Sequence, residues 1–319
     1  MDAELNRSSG MRAGRLHDRR LEDQARALLE TAPLLEAQRF AEADDARVLE
    51  QQRALTEIPA PPFAEAERGV RMAELLRESG LADVTTDEVG NVLAVHAPGA
   101  EGAGRAPLIV SAHLDTVFPA DTDVRVREVG DRLVGPGISD DGRGLAALLS
   151  LARIVSSVAL PFGRPLVFAA TVGEEGAGNL RGVRHLFREG GVGHGCAGFV
   201  SLDGAGLHRI VTTGVGSRRF RVSLRGPGGH SWVNWGTANP IHTLGAAVAR
   251  WAKLALPVEP AATLTVARWG GGTSINAIPQ EAWVELELRC GSEEILDRTE
   301  RRVRDALEDA LREAARQSA

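Results

Sequence analysis

The residues best equipped for chemistry sit in four short motifs: His113 and Asp115 in AHLDT, Asp140 and Asp141 in GPGISDDGRG, Glu174 and Glu175 in TVGEEG, and Asp203 in SLDG. His113 and Asp115 lie two positions apart at the end of a strand-like run, so they project to one face. There Asp115 can hold the imidazole in its metal-binding tautomer. Asp140 belongs to a glycine-rich loop, and its two carboxylate oxygens suit the bridging of two cations; Asp141, just ahead of a helix, reads as an N-cap. Adjacent Glu174 and Glu175 would repel one another if both were desolvated without a cation. A metal removes the conflict, with one glutamate as ligand and the other as proton shuttle for an activated water. Each motif alone has a plainer reading: a satisfied polar pair for HxD, a surface turn for the two glutamates, an ordinary acidic strand end for Asp203. Their succession at strand ends points to metal-assisted hydrolysis.

Composition narrows the alternatives. With 319 residues, 43% hydrophobic and 25% charged, the chain is long for one domain and suits two packed units. The net charge of -6 and the lack of a basic run argue against nucleic acid, so a small-molecule or peptide partner is expected. No apolar stretch approaches the roughly 20 residues that cross a bilayer, and the start MDAELNRSSG carries no hydrophobic signal core, which gives a cytoplasmic reading with no membrane partner. Cys196 and Cys290 form no CxxC, so any metal must use His, Asp and Glu. Lys253 is the only lysine and follows no GxxxxGK[ST] pattern, which removes P-loop chemistry; the lack of GxSxG weakens a serine hydrolase.

The elements that must position these groups alternate. Residues 1–55 are rich in Ala, Glu and Arg, read as helices, and are expected to form a solvated extension without catalytic parts. After the proline-stiffened loop EIPAPPF comes a helix from Ala64 to about Ser79, then NVLAVHA, PLIVSAH, the helix GLAALLSLARIVSSV, RPLVFAATV and AGFVSLD. This is an α/β signature, and ligands in such sheets gather outside the carboxyl ends of the strands. Residues 56–214 are therefore expected to form the catalytic domain. From residue 215 to 319 the order changes to strand, helix, two strands and a charged helix, most of a ferredoxin-like α+β unit.

On these motifs the chain resembles the di-zinc metallohydrolases of peptidase family M20, which include acetylornithine deacetylase, succinyl-diaminopimelate desuccinylase, aminoacylase, tripeptidase T and glutamate carboxypeptidase. The likeness runs from about residue 55 to the end. It implies a zinc-exopeptidase-like catalytic domain, with helices on both faces of a mixed sheet, and an inserted lid that pairs two subunits. It further implies His113 as a zinc ligand oriented by Asp115, Asp140 as the bridging carboxylate, Glu174 as general base, Glu175 on one zinc and Asp203 on the other. His230 of GPGGHS resembles the family histidine that reaches a partner's active site and stabilises the oxyanion. Asn276 and Arg289 fall where relatives hold substrate polar groups. On the residues alone, His230 reads equally as a surface histidine and Arg289 as a solvated strand residue. His17, His96, His185, His194, His208 and His242 match no ligand motif.

Two departures stand out. Gly142 and Arg143 follow where many relatives have a lysine, and no histidine comes after His242, whereas relatives return from the lid to supply a last histidine ligand. His113, Asp140 and Asp203 then make one full site, while the other keeps only Asp140 and Glu175. The expectation is two zinc ions per subunit in the family, or one in this chain, with Co2+ or Mn2+ able to substitute. The substrate expected is a small peptide or N-acyl amino acid. The alternatives are a catalytically impaired metal- or peptide-binding homologue and a metal-independent hydrolase using Ser231 beside His230.

Overall fold

The computed structural model describes residues 19–97, 102, 104–204 and 214–317, and its chain forms two compact units, residues 1–206 and 207–319. In the first unit three helices come in succession, α1 (Arg19–Leu29), α2 (Ala32–Ala43) and α3 (Asp45–Thr56), followed by α4 (Ala66–Glu78). Strands β1 (Asp83–Thr86), β2 (Val92–His96) and β3 (Leu108–His113) come next, then a small hairpin of β4 (Arg127–Val129) and β5 (Arg132–Val134). Helix α5 (Gly142–Ser157), β6 (Leu166–Thr171), α6 (Arg181–Leu186) and β7 (Gly198–Ser201) complete the unit.

The sheet order is β1-β2-β6-β3-β7. β3 runs parallel to both β6 and β7, while β1 and β2 are antiparallel, so the sheet is mixed. All six residues of β6, LVFAAT, are buried, as a central strand covered on both faces requires. One face packs Ala94, Ala112, Phe168 and Ala170 against Leu55, Met72, Leu76, Leu145 and Leu149 of α3, α4 and α5. The other packs Ile109, Val167 and Ala169 against Leu186 of α6. Helices thus cover both faces, the α/β class expected.

The first 55 residues depart from the expected solvated extension. Helix α1 is exposed where described, but α3 buries Val48, Gln51, Gln52 and Leu55, and its end at Thr56 runs past the expected boundary. The physical reason lies in a buried polar knot. Arg153 of α5 donates to Asp44 through Nη2 at 2.5 Å and to Gln51 through Nη1 at 2.7 Å, and Ser150 donates to Asp44 at 2.7 Å. An ion pair this enclosed (side chains 4% and 7% exposed) joins the α2–α3 corner to the core helix.

In the second unit, β8 (Gly216–Arg225), the two-residue β9 (Gly229–His230), α7 (Pro240–Trp251), β10 (Ala262–Gly271), the two-residue β11 (Ala277–Ile278), β12 (Glu281–Cys290) and α8 (Glu293–Gln317) follow one another. β10, β12 and β8 form an antiparallel sheet in that order, as in most of a ferredoxin-like unit. Along β12 the alternation buries Ala282, Val284, Leu286 and Leu288 against the two helices and leaves glutamates on the other face. Asn239 caps α7 by accepting from Ile241 N and His242 N, and the Trp251 indole donates to Val303 O at 2.9 Å, tying α7 to α8.

Removing one partner of the Asp44–Arg153 pair leaves a buried charge alone, so Asp44→Ala should cost about 3–5 kcal/mol of unfolding free energy. Urea denaturation measures it; a loss under about 1 kcal/mol would return α2 and α3 to the status of an appended extension.

Candidate metal centre

Parallel register brings the first-unit motifs together. His113 at the end of β3 stands opposite Thr171 at the end of β6, and Ser111 stands opposite Ser201 at the end of β7. Glu174 and Glu175 follow β6, and Asp203 follows β7, so all reach the same sheet edge as His113. The loop ahead of α5 delivers the rest. Asp141 is fully buried and caps α5, accepting from Gly144 N at 3.0 Å through one oxygen and from His113 N at 2.7 Å through the other. This fulfils its reading as an N-cap and leaves neighbouring Asp140 turned to the imidazole, with Oδ1 2.9 Å from His113 Nε2. Asp203 Oδ1 stands 3.9 Å from the same nitrogen.

Asp115, also fully buried, spends both oxygens on backbone donors: Glu174 N at 2.9 Å and Glu175 N at 2.8 Å. Its Oδ1 also lies 3.6 Å from His113 Nδ1, an ion-pair distance. One ligand atom each from His113, Asp140 and Glu175 fits within 4.8 Å, the spacing of donors around a single cation. This triad includes Glu175 and not Asp203; β6 and β7 both adjoin β3, and what sets the glutamate apart is the Asp115 carboxylate, which holds its backbone N–H.

The electrostatics are those of a site short of positive charge. Burial acts to lower the His113 pKa, but the Asp115 carboxylate and the charges of Asp141 and Asp203 outweigh it and raise the value to about 10. Burial raises the Asp141 carboxyl to about 7 against the pull of His113. Burial also pushes Glu174 up, with Asp203, Asp115 and Asp140 adding to it, and pushes Glu175 up together with Glu174 and Asp140. Asp115 goes the other way: burial opposes ionisation, yet His113 and the two glutamate N–H groups lower it below the usual carboxylate range. A hard cation among these oxygens and the imidazole would reverse the crowding, so the residues present fit a divalent metal.

Sequence reasoning missed Arg68. It is 1% exposed and donates to Leu114 O at 2.7 Å and to Ile58 O and Thr56 O, holding the backbone between His113 and Asp115 against the EIPAPPF loop. Burial lowers its pKa to about 10 while Asp115 and Asp141 act against that. The available signal was its place on the apolar stripe of α4, at helical spacing from Met72, Leu75 and Leu76.

In the second unit the pairing of β9 with β11 sets Ala277 opposite His230, and Ser231 N donates to Asn276 O at 3.0 Å. His230 and Asn276 are therefore neighbours. His230 Nδ1 accepts from Trp232 N at 3.2 Å and Val233 N at 3.5 Å, which places the proton of the neutral ring on Nε2. Asn276 Oδ1 accepts from Ser274 Oγ at 2.6 Å, leaving its NH2 as a donor. Trp232, Trp235 and Ile275 around this pair are 85%, 83% and 103% exposed. Arg289 is not brought there. It lies at the other end of β12, opposite Ser217, and donates to Glu287 at 2.7 and 3.1 Å, the solvated strand arrangement. Of the remaining histidines, His96, His185, His194 and His242 join no ligand cluster among the described residues, and His17 and His208 lie outside them.

The first unit thus sets carboxylates and an imidazole at the strand ends of a mixed sheet, and the second is a separate α+β unit. Residues 91–216 match the model of Peptidase family M28, and residues 213–315 match that of the Peptidase dimerisation domain of M20 enzymes. The cytosol non-specific dipeptidase of Escherichia coli (strain K12) is 27% identical over 285 residues, 80% of this chain and 56% of that protein. The chain thus spans about half the length of this curated relative. Among solved structures, a tripeptidase from Staphylococcus aureus superposes with a TM-score of 0.63 at 23% identity, covering 84% of this chain and 72% of that one. Aminopeptidase PepT from Bacillus cereus gives 0.62 at 22% identity, covering 85% and 73%. A dinuclear metal-binding peptidase of family M20 from Bacillus subtilis gives 0.57 at 18%, covering 87% and 72%. Residues 213–315 thus match a peptidase dimerisation domain, and the chain is similar to known peptidases along most of its length. Among the described residues no helix is long and apolar enough to cross a membrane.

In the metal-free protein, the raised His113 pKa contributes stability that is whole below the ordinary value of 6.5 and fades as pH rises to about 10. Urea midpoints should fall across that window, and His113→Gln should flatten the slope. An unchanged slope in the variant would show that the imidazole does not carry it.

Proposed function

We propose that the protein is a metal-dependent hydrolase that cleaves the amide bond of a small peptide or N-acyl amino acid. The observation that carries this reading is the convergence of His113, Asp140, Glu175 and Asp203 at one sheet edge, around a single imidazole. His113, Asp140, Glu175 and Asp203 would hold zinc, or Co2+ or Mn2+ in its place, with Asp140 able to share its two oxygens between two ions. When bound, the metal supplies an acidified water and a polarised scissile carbonyl. Asp115 faces His113 Nδ1, which would leave Nε2, beside Asp140, as the ligand atom. Glu174, held beside the ligands by its N–H to Asp115, takes the proton of the attacking water and passes it to the leaving amine.

The second unit supplies donors. His230 Nε2–H and the Asn276 amide stand together and would bind the carbonyl oxygen as negative charge develops on it, reaching the site of a partner subunit in a homodimer paired through this unit. The dipeptidase and tripeptidase names of the relatives agree with a short peptide as substrate, and the cytosolic setting of the first agrees with a cytoplasmic location.

Purified protein supplied with zinc should retain it by elemental analysis. Glu174→Gln should keep that metal and lose about 100-fold or more of peptide turnover, the usual contribution of a positioned acid–base group. Full activity in Glu174→Gln would remove it from the shuttle role. Metal retention in His113→Ala and Asp140→Ala would sink the ligand assignment, and metal binding without turnover of any peptide would mark a non-catalytic homologue.

Zinc must displace the proton that His113 holds at neutral pH, so binding should release protons. Calorimetry at pH 7.5 in buffers of different ionisation enthalpy reads the number. Zero release would contradict a protonated His113 in the metal-free site.

A further inference from the structure

The segment bearing Glu174 and Glu175 is held at a second place besides Asp115. Immediately before it, Arg181 N donates to Gly173 O at 3.2 Å and Gly182 N donates to Val172 O at 2.9 Å. Gly173 has φ +62°, and a Cβ there would fall 2.8 Å from Arg181 Cγ, so the arginine stem occupies the space a side chain would need. From that stem the guanidinium reaches Glu65 at the start of α4, with Nη2 to Oε2 at 2.8 Å. Glu65 is 3% exposed, and its Oε1, like Arg181 Nη1, is buried with no hydrogen-bond partner. The Phe63 ring covers the guanidinium 5.0 Å from its centroid. Phe63 is itself a non-glycine residue at φ +75°, and it stays 67% exposed.

Two unfavourable features thus meet on one contact. A carboxylate is buried with half its acceptors unused, and an aromatic residue is kept in the left-handed region, which costs of order 1–3 kcal/mol. Packing alone would be served as well by apolar residues. What this arrangement adds is directional: it connects the EIPAPPF loop, through Arg181, to the backbone that aims the two glutamates. We infer that Phe63, Arg181 and Glu65 form a clasp of positioning residues that fixes the Glu174–Glu175 loop in the geometry that captures a divalent cation. The inference rests on the metal reading of Glu175 and is independent of the substrate.

The test is calorimetric titration of Zn2+ into the 319-residue protein, alongside thermal melting without metal. Arg181→Met should weaken zinc affinity at least tenfold and also lower the melting temperature, because Glu65 is left buried and unpaired. The double variant Glu65→Met with Arg181→Met should regain the melting temperature but not the affinity, a separation that a merely structural role would not produce. Phe63→Ala, at an exposed position, should weaken zinc affinity about threefold with little change in melting. Affinity unchanged in Arg181→Met, or restored in the double variant, would overturn the clasp. If the double variant does not fold, unchanged affinity in Phe63→Ala overturns it. No zinc binding by the unmodified protein would instead overturn the metal reading on which the clasp rests.

Discussion

The carboxylate of Asp115 organises the first unit's site. Burying an ionised carboxylate is tolerable only when its oxygens find donors, and here the donors are the backbone N–H groups of Glu174 and Glu175. The same group faces His113 Nδ1, so the other ring nitrogen is directed toward Asp140. One side chain therefore sets the aim of an imidazole on β3 and the height of two glutamates beyond β6. Arg68 secures the backbone from the other direction through the Leu114 carbonyl between His113 and Asp115. Asp141, which accepts from His113 N while capping α5, connects the strand end to the helix that brings Asp140.

These constraints explain why the carboxylates do not move apart. In water, several acidic groups around one imidazole would separate or take up protons. Here each is tied by its backbone to a strand end or helix start, and the response appears in the pKa values: His113 goes up to about 10 and Asp141 to about 7. The strain is electrostatic and localised, and a divalent ion held by His113, Asp140 and Glu175 would relieve it by placing two positive charges among the carboxylates.

The second unit is built on a different economy of groups. Its sheet alternates cleanly, with one face against α7 and α8 and the other carrying paired charges such as Arg219–Glu287 and Arg221–Glu285. The functional candidates are held outside that sheet by the two-residue β9 and β11. Because His230 accepts from two backbone N–H groups, its free nitrogen is a donor, and the Asn276 amide beside it is a donor as well. Arg289 shares the unit without sharing this pair, since β12 is ten residues long and places it at the far end.

Much of this was legible in the order of residues. Apolar runs of strand length leading into His113, Glu174 or Asp203 read as strand ends, and adjacent glutamates after a buried run offered a cation site beside the plainer reading of a surface turn. The role of Asp141 as a cap followed from its place before a helix. Other features depended on neighbours distant in the chain. Gln51 and Gln52 look like solvated helix residues until Arg153 donates to the first and the second donates to Ile138 O, so the extension expected over residues 1–55 proved to be partly core. Arg68 reads as surface charge until backbone carbonyls surround it. Residue type and local period determine where polar groups leave a strand or helix. Which of them meet is a tertiary matter: strand register sets the ends of β6 and β7 on either side of β3, and the buried Asp115 carboxylate then holds the glutamate backbone beside His113, because its oxygens need donors.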